Sequence, residues 1–392
     1  MPTLDELMRD PYAALGVRKI INATCHTTRV GGTLIPDEVL AAMRAAAGSH
    51  VEMHELQRAA GRVIAHYTHA EDGYIVSGCA AALLVGAAAI ITGTDPVKAQ
   101  QLPHLAGTGM KDRAITKRFP RQTAPDGSQF VHYGYAHAVK TTGIQFDEIG
   151  NGGPVSRAEL AAAFGPQTAL VYWGSEQPPG ELTVEEVVEV ADAHNVPVLV
   201  DNSNHLPPKE NLWRYTEAGA ALVAFSGGKG LQGPQGAGIL AGRADLIEAV
   251  AMQASPTQGI GRVCKVSKEE VVGQLAALTW WAEQDDDVRL AEQLRQTQKL
   301  VALAQGLSGA TTTLKSPDRI GRPYPSVYVE PQPESGLTAE SLVQQLYDGE
   351  PPIAVKGGDE PAHPLAVRFD VRLCEDWEIE AIGRRLHEIF SG

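Results

Sequence analysis

The sequence is short of cysteine, of basic charge and of long apolar runs, and each shortage excludes something. Its four cysteines, Cys25, Cys79, Cys264 and Cys374, are scattered along 392 residues with no C-x-x-C pair. No disulfide framework is expected, and four reduced thiols suit a cytoplasmic protein. Lysine and arginine number 33 against 47 acidic residues, for a formal net charge of −14. Such a surface repels nucleic acid and anionic lipid at long range. The expected partner is a small molecule, with neither a polynucleotide nor a membrane involved. The most apolar run, residues 79–91, covers 13 positions, short of the roughly 18 that a membrane span needs. It reads as a buried helix. Residues 1–10 contain Asp5, Glu6, Arg9 and Asp10 and no apolar stretch, so no signal peptide is expected. His50 and His54 lie four apart but lack the order of a zinc-protease motif, and no metal site is expected there.

What is present is ordinary globular composition, 43% hydrophobic and 20% charged, in a chain long enough for a large domain and a smaller one. Residues 74–76, 168–173, 196–200, 220–225 and 238–241 read as buried strands. Residues 182–195 read as a helix capped by Thr183. Continuous apolar strands alternating with helices predict an α/β domain with a mainly parallel sheet. Residues 266–281 and 285–305 read as two further helices, with Trp280 and Trp281 expected to pack the first into a domain interface. Beyond about residue 310 the pattern changes to strands at 326–330 and 366–371 and helices at 338–347 and 377–390. The expected division is 1–285 for the N-terminal segment and large domain, and 286–392 for a smaller α+β C-terminal domain.

Three local patterns can carry chemistry. Ser77-Gly78-Cys79 follows a strand and opens a helix, where small residues and free amides can cradle a phosphate. The same residues would serve a plain strand-to-helix turn. Asp201 ends a very apolar strand, at the edge of a parallel sheet where ligands bind; it could equally cap the following turn. Lys229 sits among glycines in Ser226-Gly227-Gly228-Lys229-Gly230 after another strand. Glycines leave a lysine amine free to reach a ligand, though an exposed lysine in a turn is the commoner outcome. Read together, a cradle, then an acid, then S-x-x-K 28 residues after that acid, look like the pyridoxal phosphate (PLP) enzymes of the aspartate aminotransferase fold, fold type I.

The resemblance is closer than fold type. INATCHTTRVGGT (21–33), YIVSGCAAALLVGAAAI (74–90), YGYAHAVKTTG (133–143), VPVLVDNSNHLPP (196–208), FSGGKGLQGPQGAGIL (225–240) and GIGRVCKVSKEEVVG (259–273) are similar to the selenocysteine synthase-like family. Within it they most resemble D-glucosaminate-6-phosphate ammonia-lyase-like members. The resemblance implies PLP as cofactor, held by Lys229 as a Schiff base, with Asp201 on the pyridine nitrogen. Ser77, Gly78, Cys79 and Ser226 would hold the phosphate. His132, His137 or a residue between them would pack over or near the ring. Arg368 in AVRFDV, His54 and Arg262 would face the substrate, with a homodimer or larger assembly expected and Arg262 able to serve a neighbouring subunit's site. The implied activity is α,β-elimination from an amino acid or amino-sugar acid, giving a keto acid and ammonia. Transamination or racemisation is the alternative, and a non-catalytic phosphate- or partner-binding homologue is the third possibility. Selenium transfer itself is not expected, because the chain is acidic and shows no counterpart of the N-terminal tRNA-binding extension. The stretch 201–205, DNSNH, is more polar than the alanine-rich segment common after this aspartate.

Overall fold

The computed structural model describes residues 1–318, 321–358 and 364–391. The chain divides into two compact units, Leu34–Gln284 and Met1–Thr33 with Asp285–Gly392.

The larger unit is built on a seven-stranded sheet. Its strands are β1 (Asp72–Val76), β2 (Arg113–Lys117), β3 (Gln145–Ile149), β4 (Thr168–Gly174), β5 (Val198–Asp201), β6 (Leu222–Ser226) and β7 (Gly238–Gly242). Their spatial order is β1-β7-β6-β5-β4-β2-β3. From β6 across to β3 every pairing is parallel. Only β7 runs antiparallel to both its neighbours. Alternate side chains go to opposite faces, and both faces are covered. Val198 and Val200 join Val171, Trp173, Val223 and Phe225 in one core, while Leu199 joins Leu170, Leu222 and Leu240 in the other. Burial on both sides is what makes these strands continuously apolar.

Local chemistry sets the helices. Thr183 caps Val184–Asp192 in a capping box with Glu186, and Ser267 caps Lys268–Glu283 in another with Glu270, which satisfies otherwise orphaned first-turn amides. The alanine-rich run forms α1 (Gly78–Thr92), buried almost throughout. Gly86 lets it lie close on the sheet: a Cβ there would touch Leu199 and Leu222 at 3.3 Å. Trp281, expected at a domain interface, instead lies in the core of this unit with Val266, Val271 and Leu278. No helix among the described residues is long and apolar enough to cross a membrane.

The second unit holds a four-stranded antiparallel sheet. Its strands are β8 (Ala310–Lys315), β9 (Ser326–Pro331), β10 (Lys356–Gly357) and β11 (Val367–Phe369), in the order β8-β9-β11-β10. Helices Asp286–Leu303, Ala339–Asp348 and Asp376–Ser391 pack its core. The N-terminal segment, expected with the large domain, groups here instead. Ile21–Asn22 pairs in parallel with Ile353–Ala354, and Ile21 and Ala23 are buried in this core.

Candidate active site

The site is assembled at the carboxyl ends of the central strands. β1 ends at Val76, and the chain turns into α1 through Ser77 and Gly78. Gly78 has φ +79°, a left-handed conformation that favours glycine. Ser77 makes no side-chain capping bond, so its hydroxyl and the first-turn amides of a 15-residue helix remain available to an anion. Gly238 on β7 pairs with Val76 on one side and Ser226 on the other. Ser77 and Ser226 are therefore brought to the same edge across a residue with no side chain. A Cβ at 238 would come within 2.6 Å of the Gly78 carbonyl carbon and 2.9 Å of the Cys79 nitrogen. The cradle exists because β7 has a glycine there.

Asp201 closes β5 two strands away from Gly238. One carboxylate oxygen, Oδ1, accepts from the Ser203 amide at 3.1 Å and from the Cys79 thiol at 3.7 Å. The other, Oδ2, accepts from the Tyr172 hydroxyl at 3.2 Å. Burial, and then the neighbouring Asp201 charge, push both the Cys79 thiol and the Tyr172 phenol well above their ordinary values. Both groups stay protonated and act as donors.

Lys229 stands on the loop after β6. Its glycines are required by crowding: a Cβ at Gly227 would strike the Gln274 side chain and the Ala237 carbonyl, and one at Gly230 the Leu206 carbonyl. The loop is fixed by the Gly233 amide on the Gly227 carbonyl at 2.8 Å and by the Gln232 amide on the Lys229 carbonyl at 3.0 Å. The Lys229 amine lies 3.4 Å from the Ser203 hydroxyl and 5.4 Å from the centre of the Tyr135 ring. The lysine charge also acts on the Cys79 thiol. Amine, carboxylate and cradle thus converge on Ser203 and Cys79.

The polar stretch after Asp201 has a structural account. Buried Asn202 and His205 tie the loop down. The Ser175 hydroxyl donates to Asn202 Oδ1 at 2.9 Å and lies 2.6 Å from His205 Nδ1. The Asn202 amide donates to the Asn211 carbonyl, and the Asn211 amide to the His205 carbonyl. Rigid second-layer bonds of this kind hold Asp201 and Ser203 in place.

The remaining sequence candidates stand on other elements. His132 is exposed, with its amide on the Pro120 carbonyl, and the exposed His137 meets Tyr133 edge-on. Tyr135, between them and 65% exposed, is the ring beside Lys229. His54 is exposed in the first turn of helix Met53–Thr68. Arg262 is exposed in the loop after Gly259. Arg368 is buried on β11 of the other unit, paired across the sheet with Tyr328 and Lys356. Neither Tyr172 nor Ser203 is signalled along the chain: Tyr172 reads as one more core residue of an apolar strand.

The comparisons with known proteins agree with this geometry. A family model described as aminotransferase class-V matches residues 134–312. The chain is 31% identical to a 5'-C-glycyluridine monooxygenase-decarboxylase of a Streptomyces species, over 96% of this chain and 91% of that one. It is 30% identical to the D-glucosaminate-6-phosphate ammonia lyase of Salmonella typhimurium, over 96% and 97%, and 25% identical to the L-seryl-tRNA(Sec) selenium transferase of Moorella thermoacetica, over 96% and 82%. A solved structure of D-glucosaminate-6-phosphate ammonia-lyase superposes with a TM-score of 0.80 at 28% identity, over 97% of this chain and 98% of that one. The cofactor of these proteins also suits the site: an amine, a carboxylate and an anion cradle are what an aldehyde, a ring nitrogen and a phosphate require. The chain belongs to the selenocysteine synthase-like family of PLP-dependent enzymes of fold type I.

Proposed function

We infer that the protein is a PLP-dependent carbon-nitrogen lyase acting on an amino-sugar acid or related β-hydroxy-α-amino acid. The observation that carries this reading is the approach of the Lys229 amine and the Asp201 carboxylate to one residue, Ser203. Lys229 would hold the cofactor aldehyde, Asp201 the ring nitrogen, and Ser77, Gly78, Cys79 and Ser226 the phosphate. Bound PLP supplies an electron sink for a carbanion at Cα. Lys229 would be the base that takes the proton from Cα. Asp201 keeps the ring nitrogen protonated. Tyr135 flanks the amine. In the net reaction Cα loses a proton and Cβ loses its oxygen substituent as water. Hydrolysis then yields a keto acid and ammonia.

The substrate class follows from what the relatives' names have in common. Glucosaminate, a uridine carrying a glycyl group at C5', and a seryl group each bear an amine at Cα and an oxygen at the next carbon. That oxygen is the group elimination would expel. The role of Arg368 as a carboxylate-binding residue, and of His54 and Arg262 toward the substrate, stays within this proposal. So does a homodimer or larger assembly, supported by the exposed apolar side chains of Leu34, Leu40, Val51 and Val263. Light scattering that finds an active monomer would remove that part.

The test is a panel of 3-hydroxy-2-amino acids: serine, threonine, and glucosaminate with and without a 6-phosphate. Ammonia and keto acid should appear in equal amounts with no added acceptor. A requirement for an added keto acid would indicate an aminotransferase instead. A second reading comes from the 31% identity to a monooxygenase-decarboxylase; oxygen uptake with release of carbon dioxide in the same panel would select it. Purified protein that stays colourless after incubation with PLP would overturn both.

A further inference from the structure

The Asp201 carboxylate is clamped by groups from three separate elements. The Cys79 thiol comes from the first turn of α1, the Tyr172 hydroxyl from β4, and the Ser203 amide from the turn after β5. An ionised carboxylate has about four acceptor positions, two on each oxygen. Among the described residues three are taken: both on Oδ1, by Ser203 and Cys79, and one on Oδ2, by Tyr172. The open position is on Oδ2. None of the three donors carries a formal charge, so the clamp acts on the orientation of the carboxylate.

We propose that Cys79 and Tyr172 are positioning residues that lock Asp201 in one orientation, leaving its single open acceptor position on Oδ2 for the protonated ring nitrogen of PLP. This rests on the Asp201 role given under Proposed function and adds two residues to it. It also separates the two halves of Cys79. The backbone amide belongs to the phosphate cradle, while the side chain serves the carboxylate at 3.7 Å. Burial and the Asp201 charge hold both donors in their protonated forms, as a clamp of donors requires. Neither group acts as a nucleophile or base. The hydroxyl at 3.2 Å is the stronger donor and the thiol the weaker, which orders the expected effects.

The experiment compares the affinity of the apo-protein for PLP with its affinity for the analogue that has carbon in place of the ring nitrogen. Wild type, Cys79→Ala, Cys79→Ser, Tyr172→Phe and Asp201→Asn are titrated by absorbance and by fluorescence quenching. Wild type should prefer PLP. Tyr172→Phe should weaken PLP binding roughly tenfold and Cys79→Ala about threefold. Analogue binding should change less than about twofold, because the phosphate cradle is untouched. Cys79→Ser, which keeps a donor, should recover most of the loss. In the Asp201→Asn background neither substitution should weaken PLP binding further, since both act through that carboxylate. Equal losses for PLP and the analogue would overturn the proposal in favour of a role in phosphate binding or folding. Unchanged PLP affinity in both variants would overturn it as well. If wild type itself binds the two cofactors alike, the assignment of Asp201 to the ring nitrogen fails, and this proposal falls with it.

Discussion

Asp201 in the larger unit and Asp370 in the smaller one both stand at the end of a strand, yet their surroundings are opposites. Asp201 is half-buried and accepts hydrogen bonds from a thiol, a phenol and a backbone amide. Asp370 follows β11 and is 3% exposed in its side chain, as is Arg372, which grips it with bonds of 2.8 and 2.6 Å. Arg372 in turn lies 3.5 Å over the ring of buried Tyr324. The Asp370 amide donates to the Ala23 carbonyl, so this ion pair fastens the N-terminal segment into its unit. Burial pushes the Asp370 carboxyl up, but the adjacent Arg372 charge and its hydrogen bonds outweigh that and hold it well below the usual carboxylate range. A carboxylate whose charge is already answered by a guanidinium stabilises a fold. One held by neutral hydrogen-bond donors is oriented for a ligand.

The largest expected effect separates the two regions by what each substitution removes. Lys229→Ala should lower turnover by about 10⁴-fold or more, with stability changed by less than about 1 kcal/mol, because the amine is half-buried on a loop fixed by other bonds. Turnover near wild type in that variant would end the assignment. Arg372→Met should do the reverse: it strips buried Asp370 of the guanidinium that grips it, leaving only the weaker effects of Arg368 and His26, and should cost about 3 kcal/mol, read by denaturant unfolding. Adding Asp370→Leu should recover at least half, since an apolar pair can replace a buried ion pair. If Arg372→Met unfolds at the wild-type midpoint, the ion pair is not what secures this unit.

Acid sharpens the same contrast. The folded Asp370 carboxyl binds its proton only at a pH below the unfolded value of about 3.9. As pH falls, the unfolded chain takes up that proton first. The stability due to Asp370 is therefore complete above the unfolded value and is lost as pH falls through the lower, folded one. Unfolding midpoints measured downward from pH 6 should drop on that limb. The Arg372→Met/Asp370→Leu variant should show a shallower drop, and an equally steep one would mean other carboxyls dominate.

How far the sequence foretold this depends on whether a feature is carried along the chain or across it. The apolar runs that became β4, β5, β6 and β7 are one-dimensional signals, as are the Thr183 cap, the glycines around Lys229 and the acid ending β5. β2 and β3 carry no comparable signal: Arg113–Lys117 has a short apolar centre between basic ends, and Gln145–Ile149 places Asp147 and Glu148 between Phe146 and Ile149. The antiparallel run of β7 left no trace, since alternation does not encode strand direction. Nor could the chain announce that Ile21 pairs with Ile353, or that Tyr172 reaches the acid of the next strand. In the segment 132–137 the sequence points to the histidines. The ring beside Lys229 is Tyr135, chosen by how helix Ala136–Lys140 begins and not by residue type.

The smallest expected effects come from adding one methyl group to a strand glycine in each unit. At Gly357 on β10, a Cβ would meet the Val343 side chain, with Cγ2 at 2.6 Å. Val343 has only one stiff, branched torsion to turn, whereas alanine lowers the entropy of the unfolded chain, so the two effects oppose. Gly357→Ala should leave stability within about 1 kcal/mol of wild type, in either direction. At Gly238 the obstacles are backbone atoms: the Gly78 carbonyl carbon, the Cys79 amide nitrogen and the Phe225 carbonyl oxygen. They cannot rotate away, so the cradle itself must shift. Gly238→Ala should therefore weaken PLP binding about tenfold, or about 1.4 kcal/mol, while inorganic phosphate competes less well against the bound cofactor than in wild type. Because the shift displaces the first turn of α1, it should weaken PLP and its ring-carbon analogue alike, unlike a loss that acts through Asp201. An unchanged affinity for both would show that β7 can move without disturbing the turn at Gly78, and the cradle would then owe its shape to α1 alone.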